Sequence, residues 1–320
     1  MKDKPFNPDE LNLMTLAREY SDEDKARTLL ESLRWPTGAI CPHCQNDGNA
    51  KAIYKLTPKA ESKSAVRKGV HKCGACRKQF TVTVGTIFAD SHIKIGTWLM
   101  AIFIMCSSKK AVSSLQLSRM LGLTYKSAWF MSHRLRHAMS PNSPLAKLLK
   151  GVVEVDETFV GGKGARCSVS RRKTPVVALI ERDGKMQTRV VSSVTQKNLG
   201  KILHECVSKS AVVNTDEHPA YFNPLKEWKE HQTVVHSKFE YSRKNADGSK
   251  SGINTCESYF SLLKRGVYGS WHCVSREHLQ KYTNEFAFRW NTRHLTDGAR
   301  MADAISLVGG KRLMYRAPQN

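Results

Sequence analysis

The sequence contains no apolar run that is long enough to cross a lipid bilayer. The longest run, TWLMAIFIMC from Thr97 to Cys106, is half as long as the roughly 20 residues that a membrane-spanning helix needs. The N-terminal stretch up to Trp35 carries scattered charges and has no apolar core followed by a small-residue cleavage site, so it does not resemble a secretory signal. We therefore expect a protein of the cytoplasm that has no membrane partner.

Acidic residues are scarce in this chain. Asp and Glu number 28 against 51 Lys and Arg, which gives a net charge of +23, whereas the hydrophobic fraction of 40% is typical of folded proteins. A length of 320 residues is sufficient for two or three modules. The positive charge predicts a polyanionic partner, and nucleic acid is the leading candidate because Lys and Arg release the counterions of phosphates. An anionic membrane surface is the less favoured alternative.

Nine cysteines in a reducing compartment favour metal binding or buried thiols over disulfides. Four of them form two C-x2-C pairs, Cys41 with Cys44 and Cys73 with Cys76. Two such turns place four thiolates around one structural Zn²⁺, which then stabilises a segment with little core. The 28 residues between the pairs exceed the usual spacing, and a strand-rich ribbon with a basic hairpin would accommodate them. Two unrelated C-x2-C turns are the alternative.

The residues around these cysteines are strongly basic. Between Lys51 and Phe80 there are nine Lys or Arg and one acid, Glu61. This imbalance favours a phosphate-facing surface over an ordinary solvated one. The neighbouring His43 and His71 are expected at the surface, because four cysteines complete the zinc site. In this ribbon the residues predicted to contact DNA are Lys68, Lys72, Arg77 and Lys78.

A helix-turn-helix pattern follows the ribbon. The sequence predicts a helix from Ser114 to Leu121, a turn at Gly122, an N-cap at Thr124 and a second helix from Tyr125 to Met139. The second helix would enter a major groove. Two tightly packed core helices would produce the same pattern, so that alternative stays open. The residues of the second helix predicted to contact DNA are Lys126, Ser127, Arg134 and Arg136.

After Lys150 the pattern becomes strand-like. It predicts strands at 151–162, 174–182 and 186–194, a helix at 196–207, a buried strand that runs into Asp216, a strand at 233–237 and a helix that contains NTCESYFSLLK at 254–264. This is the order of an α/β ribonuclease-H-like domain with a mixed five-stranded sheet. In such a domain Asp156 on the first strand, Asp216 after the fourth strand and Glu257 on the late helix meet at one edge of the sheet.

Three converging carboxylates without cysteine or histidine are hard oxygen ligands that suit Mg²⁺ or Mn²⁺. Two such ions activate a water or a 3′-hydroxyl for in-line displacement at a phosphodiester. Lys264 follows Glu257 by about two helical turns, so both side chains project from one face. They are too far apart for an intrahelical ion pair, and we expect Lys264 to contact DNA.

Three stretches, VEVDETFVGG, NTDEHPAYF and the region that begins NTCESYFSLLKRGVYGSWHC, closely resemble the DDE transposases of a bacterial insertion-sequence branch. Members of this branch carry an N-terminal zinc ribbon and are related to the Merlin transposases of eukaryotes. The resemblance extends from about Asp22 to Leu307. It implies an enzyme that binds the terminal inverted repeats of its own element, cleaves DNA at the ends with two divalent ions and joins the freed 3′ ends to target DNA.

The resemblance also implies the roles of the site residues. Asp156, Asp216 and Glu257 correspond to the metal ligands, and Lys264 corresponds to the accompanying lysine. Some relatives use Asn as the third ligand, so Asn254, one turn before Glu257, is the alternative. Joining two ends requires two active sites, which favours a homodimer on paired ends.

The segment GGKGARCSVSRRK, from Gly161 to Lys173, lacks the Walker spacing, and no nucleotide cofactor is expected. We interpret it as a basic hairpin in which Arg171 and Arg172 contact DNA, as does Arg265 beside Lys264. The predicted domains are an N-terminal helical segment at 1–36, the zinc ribbon at 37–92, the helix-turn-helix at 93–140, the ribonuclease-H-like catalytic domain at 150–308 and a basic tail at 309–320.

Two other functions fit parts of the pattern. One is a catalytically inactive, domesticated DNA-binding regulator, and the presence of all three acids and the lysine argues against it. The other is a junction resolvase or a ribonuclease H, which needs no DNA-reading modules upstream of the catalytic domain.

Overall fold

The computed structural model describes residues 7–57, 68–141, 148–161, 173–238, 240, 242–245, 248 and 250–314. The elements of its N-terminal part are α1 (Leu13–Glu19), α2 (Glu23–Arg34), β1 (Ile53–Lys55), β2 (His71–Cys73), β3 (Gln79–Phe80), α3 (Ile95–Ser107), α4 (Ser114–Leu121) and α5 (Tyr125–Ala138).

The remaining elements are β4 (Val152–Val160), β5 (Thr174–Glu181), β6 (Met186–Val190), α6 (Gln196–Cys206), β7 (Val212–Thr215), α7 (Phe222–Leu225), β8 (Glu230–Thr233), β9 (Ser242–Lys244), β10 (Lys250–Gly252), α8 (Asn254–Gly266), α9 (Arg276–Asn291) and α10 (Asp297–Ser306). A π-helix, Val267–Trp271, continues α8 directly.

The chain divides into two compact units. The first comprises the described residues of Met1–Ser108, Val112–Met139 and Leu295–Asn320, and the second comprises those of Lys109–Ala111 and Ser140–His294. The predicted catalytic domain included α10, but α10 belongs to the first unit. Its buried residues Met301, Ala304 and Ile305 lie on a helix that packs against α2 and α3.

Two features organise the first unit. Helix α3 is apolar on every side and buried along most of its length, as expected of a helix inside a core. The ribbon sheet is antiparallel in the order β1-β2-β3, and Trp35 packs edge-on against His71 with ring centroids 5.3 Å apart. The prediction that His71 is exposed is therefore wrong, whereas His43 lies at the surface as predicted. In the described ranges no helix combines the length and apolar character needed to cross a membrane.

The predicted pair of helices in the first unit is present. Ser113 caps α4 by accepting a hydrogen bond from the N–H of Gln116 at 3.1 Å. Gly122 ends α4 with a φ of 64°, a left-handed conformation that glycine adopts without a steric penalty. Thr124 then caps α5 by accepting from the N–H of Ser127 at 3.3 Å. Local sequence signals therefore predicted the connection between these helices.

The second unit is built on the predicted mixed five-stranded sheet. Its strand order is β6-β5-β4-β7-β8; β5 is antiparallel to both β4 and β6, whereas β4, β7 and β8 are parallel. Strand β8 begins three residues before the predicted strand at 233–237. Its sequence EHQT is polar and lies at the edge of the sheet, so no apolar alternation marks it.

Strand alternation gives this sheet two buried faces. Val153, Val155, Val177 and Leu179 belong to a core that includes α6. Residues of the other parity on β5, such as Ala178, belong to a second core with α8 and α9. Because successive side chains of a strand point to opposite faces, the even-numbered residues of β4 lie on the face that α8 covers.

Candidate active site and zinc site

The four predicted zinc ligands are brought together in the ribbon. The Sγ atoms of Cys41, Cys44, Cys73 and Cys76 all lie within 4.8 Å of one another, and the Cys41–Cys76 and Cys44–Cys73 separations are both 3.7 Å. A tetrahedral site with Zn–S bonds of about 2.3 Å has S–S edges of about 3.8 Å, whereas a disulfide bond is about 2.05 Å long. The cluster therefore fits one Zn²⁺.

The two C-x2-C turns have the same backbone geometry. Gln45 and Arg77, each directly after the second cysteine of its turn, have φ values of 59° and 61°. Each donates its N–H to the carbonyl of the first cysteine at 2.9 Å.

Around Cys73, hydrogen bonds from the backbone N–H groups of Cys76 and Ala75 lower the pKa of the thiol to about 6. For Cys44 a backbone hydrogen bond from Asn46 is outweighed by burial and by the hydrogen bonds with the other three thiols, so the pKa of this thiol is instead raised.

The predicted DNA-contacting residues of the ribbon lie at the surface. Lys72, Arg77 and Lys78 are exposed. Lys68 is also exposed, but its ammonium pairs with Asp24. The ribbon therefore presents cations to solvent, as a phosphate-facing surface requires. Arg171 and Arg172 of the predicted basic hairpin lie outside the described residues.

On helix α5 the prediction of DNA contacts is wrong for two arginines. Arg134 is 7% exposed and Arg136 is fully buried. The Arg134 guanidinium donates to the carbonyls of Ile87 and Ala89 at 2.8 and 2.9 Å, and Arg136 donates to the hydroxyl of Ser132 at 3.0 Å. Both side chains are turned into the first unit, where they cannot reach a phosphate.

The first turn of α5, unlike the two arginines, reaches the surface. Lys126 is exposed and Ser127 is half-buried. Of the four residues predicted on this helix, only these two are therefore placed where DNA could reach them.

In the second unit, strand register places Asp156 and Asp216 at equivalent positions. Glu154 of β4 pairs with Asn214 of the parallel strand β7, and the two aspartates each follow two residues later. Adjacent strands lie about 4.8 Å apart, so the carboxylates project from neighbouring points where β4 and β7 separate. The N–H of His218 donates to Asp216 at 3.0 Å and orients that side chain.

Glu257 is positioned by an anchor between β4 and α8. The buried carboxylate of Glu154 accepts the N–H of Thr255 at 2.8 Å and its hydroxyl at 2.9 Å, and it also pairs with Arg182 at 2.8 Å. A carboxylate at a helix N-terminus is favourable because it satisfies free N–H groups and complements the dipole. Since Glu154 and Asp156 share one strand, the anchor holds Glu257 near Asp156.

An open cavity of about 880 Å³ in the second unit is lined by two of the three predicted metal ligands, and Asp216 is not among the described residues that line it. Asp156 and Glu257 line it together with Lys264 and Arg265. Of these, Glu257 and Lys264 are the two residues that the sequence predicted to share one helical face. Asn254 lines a different cavity, with Glu154 and Arg182. The structure thus groups Glu257, and not Asn254, with Asp156.

Lys110 also lines the carboxylate cavity, although no sequence prediction placed it there. It lies 46 residues before Asp156, outside the predicted catalytic domain. The adjacent lysines 109 and 110, directly after the end of a helix, were the only sequence signal.

The carboxylates influence one another electrostatically. Burial, followed by the charges of Asp216, Glu157 and Glu257, raises the pKa of Asp156 to about 7, although the N–H of Glu157 donates to its carboxylate and opposes this shift. Like charges disfavour one another's ionised forms. A divalent cation bound among them would offset this repulsion.

Glu157, the residue after Asp156 on β4, accepts a hydrogen bond from the Tyr221 hydroxyl. Burial raises the pKa of Glu157, and this hydrogen bond opposes the shift. Tyr221 lies in the 3₁₀ turn that follows Asp216, so the contact joins the segment after β7 to β4.

The carboxylates are spaced more widely than the cysteines. Among the described residues, the cysteine cluster is the only group of three or more candidate ligands whose atoms all lie within 4.8 Å. In a two-metal site the ions are about 3.5–4 Å apart, so outer ligands on different ions need not approach so closely. Carboxylate oxygens are nevertheless the donors that hard divalent cations prefer.

Comparison with known proteins identifies two families along the chain. Residues 148–291 match the ISXO2-like transposase domain, and residues 21–79 match the transposase zinc-ribbon domain. Over 298 residues the chain is 26% identical to an uncharacterized protein in transposable element ISH50 of Halobacterium salinarum, a match that covers 85% of this chain and 92% of that protein.

Two solved structures show weak similarity. The Mos1 strand transfer complex matches 59% of this chain and 74% of that chain at 11% identity, with a TM-score of 0.23. The Drosophila P element transposase strand transfer complex matches 63% of this chain and 58% of that chain at 10% identity, with a TM-score of 0.27. Neither similarity is close enough to support a conclusion, whereas the two family matches cover more than half of the chain. The chain belongs to the DDE transposases of the insertion-sequence branch that carries an N-terminal zinc ribbon.

Proposed function

We propose that this protein is an active DNA transposase that binds the terminal inverted repeats of an insertion sequence and catalyses metal-dependent strand cleavage and strand transfer. The observation that carries the proposal is the cavity of the second unit, where Asp156 and Glu257 face Lys264 and Arg265. Acids that can hold metal ions and cations that can hold phosphates are the two groups that phosphodiester chemistry requires.

In this proposal Asp156, Asp216 and Glu257 hold two Mg²⁺ or Mn²⁺ ions. Bound there, the ions would activate the attacking water or 3′-hydroxyl and stabilise the leaving oxygen. Glu257 is preferred to Asn254 as the third ligand because it shares a cavity with Asp156 and because a charged carboxylate binds a hard cation better than an amide.

Around the acids, Lys264, Arg265 and Lys110 would bind the phosphates that flank the scissile bond. A lysine is a suitable point charge for this task, and an arginine adds directed hydrogen bonds. The sheet order and the acid positions also support a ribonuclease-H-like catalytic domain.

The first unit would recognise the DNA ends. The exposed cations of the ribbon and Lys126 at the start of α5 would bind phosphates, with α5 as the recognition helix of a helix-turn-helix. Two catalytic units are required to join two ends, and a homodimer on paired ends meets this requirement. The inactive DNA-binding regulator is disfavoured, because a chain without catalysis would not need acids and phosphate-binding cations in one cavity.

The test is cleavage and strand transfer on DNA that bears the element's ends, with Mg²⁺ or Mn²⁺. Asp156→Asn, Asp216→Asn and Glu257→Gln should each abolish product formation while DNA binding in a gel-shift assay persists. Glu230→Gln, at an exposed glutamate on the edge strand β8, is the matched control.

Full activity in all three acid variants would show that the catalytic assignment is wrong. Loss of activity in Asn254→Ala but not in Glu257→Gln would instead assign the third ligand to Asn254.

A further inference from the structure

A large aromatic side chain stands exposed in the proposed catalytic cavity. Tyr268 is 58% exposed and lines the cavity that contains Asp156 and Glu257. The aromatic residues of α9 behave differently, since Phe286 and Phe288 are only 3% and 5% exposed. Core packing therefore accounts for the aromatic residues of α9 but not for Tyr268.

The backbone that carries Tyr268 is held on both sides. Before it, Gly266 is packed so closely that a Cβ atom would lie 2.4 Å from the Cζ of Phe286. After it, the Ser270 hydroxyl donates to the carbonyl of Lys110 at 2.9 Å. Trp271 then packs edge-on against Tyr282 with ring centroids 4.4 Å apart. The backbone that carries the exposed ring is therefore held in place by packing and hydrogen bonding, which limits the conformational entropy lost when a ligand binds.

The segment is a π-helix, Val267–Trp271, at the end of α8. Such turns are rare and occur frequently at functional sites. Here the π-helix begins two residues after Arg265 and ends at the packed Trp271. Its position places Tyr268 beside the cations that would bind phosphates, and beside the acids.

The chemistry of this neighbourhood indicates what the ring contacts. Cations bind the phosphates of a DNA strand, whereas an aromatic ring interacts with the face of a base. In a duplex both faces of an interior base are covered by stacking, so the ring can stack only on a base that is terminal or has left the helix. The Tyr268 hydroxyl has no hydrogen-bond partner in the described part of the chain, so no such bond holds the ring away from a ligand.

We propose that Tyr268 stacks on the unpaired base of the nucleotide next to the scissile phosphate, so that the substrate of the site is a DNA end whose terminal pair is opened. The inference rests on the proposed function and specifies its substrate. The ring would compensate for the stacking that the base loses, while Lys264 and Arg265 hold the adjacent phosphate.

A double-mutant cycle between the protein and the DNA tests this contact. Wild-type protein and Tyr268→Ala are compared on DNA with a normal base, or an abasic site, at the nucleotide next to the scissile phosphate. Cleavage is measured with Mg²⁺, and the dissociation constant is measured with Ca²⁺. On normal DNA, Tyr268→Ala should reduce cleavage by about 5- to 150-fold, the range that follows from the measured cost of losing one base–aromatic stack. On abasic DNA the substitution should have little effect.

Three matched controls sharpen the test. Tyr268→Phe keeps the ring and should retain activity, whereas Tyr268→Leu keeps apolar area without an aromatic face and should behave like Tyr268→Ala. Phe222→Ala removes an exposed aromatic side chain that does not line this cavity, and it should show no coupling to the abasic site.

An equal loss on both DNAs, or no loss on either, would overturn the stacking proposal even when the wild-type protein cleaves normally. Absence of cleavage by the wild-type protein would instead contradict the proposed function, and the cycle of dissociation constants in Ca²⁺ would still decide whether Tyr268 contacts the base.

Discussion

Two candidate metal sites, one in each unit, differ in what holds their ligands together. The four thiol sulfurs of the ribbon lie within 4.8 Å of one another, although the described part of their segment contributes only three short strands. The carboxylates of the second unit come from β4, from the end of β7 and from α8, and two extensive cores support these elements. In the ribbon the metal would stabilise the fold, whereas in the second unit the fold would bring the metal ligands together.

The largest expected effect is the loss of the ribbon's metal. Replacing the buried Cys73 by Ser should remove the bound zinc and unfold the ribbon, because structural zinc contributes on the order of 10 kcal/mol to the folding of such segments. Zinc content per chain and limited proteolysis of the ribbon measure this. Cys273→Ser, at an exposed cysteine outside the cluster, is the control. A Cys73→Ser chain that still bound one zinc ion would place the structural metal elsewhere.

In the second unit, removing a ligand should abolish function without unfolding the protein. Asp156→Asn should reduce cleavage by at least about 10³-fold, since metal ions supply several kcal/mol of transition-state stabilisation. In buffer without added Mg²⁺ or Mn²⁺ the same variant should melt at a higher temperature than the wild type, because one of several repelling carboxylates is neutralised. A lower melting temperature would show that the charge of Asp156 stabilises the fold. The expectation that the acids of the second unit serve function and not stability would then be wrong.

A smaller effect is expected at the anchor of α8. Glu154→Ala leaves the N–H of Thr255 and the guanidinium of Arg182 without their shared acceptor, which should lower the free energy of unfolding by about 1–3 kcal/mol. Because α8 carries Glu257, the variant should also need more Mg²⁺ for half-maximal cleavage. Denaturant titration and a Mg²⁺ titration measure the two effects, with Glu230→Ala as the exposed control. An unchanged Mg²⁺ requirement would limit Glu154 to a structural role.

Within the first unit, substitution of Arg134 should change stability but not DNA binding, whereas substitution of Lys126 should change DNA binding but not stability. Arg134→Ala removes donors from two buried carbonyls, so we expect a loss of about 1–3 kcal/mol in unfolding free energy. The dependence of DNA affinity on salt concentration should not change, because Arg134 is buried away from phosphates. A reduced salt slope in this variant would show that the guanidinium moves out to bind DNA.

The smallest effect is expected for Lys126→Ala. This exposed residue should contribute about one unit of the slope of log affinity against log salt, with a change in stability within about 0.5 kcal/mol. DNA affinity measured at several salt concentrations tests this, with Lys197→Ala, on α6 of the second unit, as the control. Equal slopes for Lys126→Ala and wild type would remove α5 from the predicted DNA-contacting surface.

The parts of the fold that sequence predicted are those governed by short-range rules. Cys41 and Cys44 are joined by a turn whose geometry depends on adjacent residues, and Gly122 and Thr124 end and begin helices through their own backbone and side-chain preferences. The strands around Asp156 were also predicted from the sequence, because every second side chain of a strand points to the same face of the sheet.

Predictions failed where a residue's partner is distant in the chain. Periodicity shows that Arg134 occupies a polar position, but the carbonyls of Ile87 and Ala89 that bind it are more than 40 residues away. The same holds for His71, which packs against Trp35, and for Lys110, which reaches a cavity formed mainly by later residues. Polar edge strands such as β8 give no periodic signal at all.

By itself, the sequence predicted the four cysteines that cluster in the ribbon, the order in which the strands of the five-stranded sheet follow one another along the chain, and the candidate acids, because each depends on local spacing or on a contiguous motif. Only the tertiary structure decided that Glu257 and not Asn254 shares a cavity with Asp156, that two arginines of α5 are buried, and that Tyr268 stands exposed beside the acids. These outcomes depend on which elements pack against each other. This packing depends on contacts and strand pairing between residues that are far apart in the chain, so no single stretch of sequence predicts it.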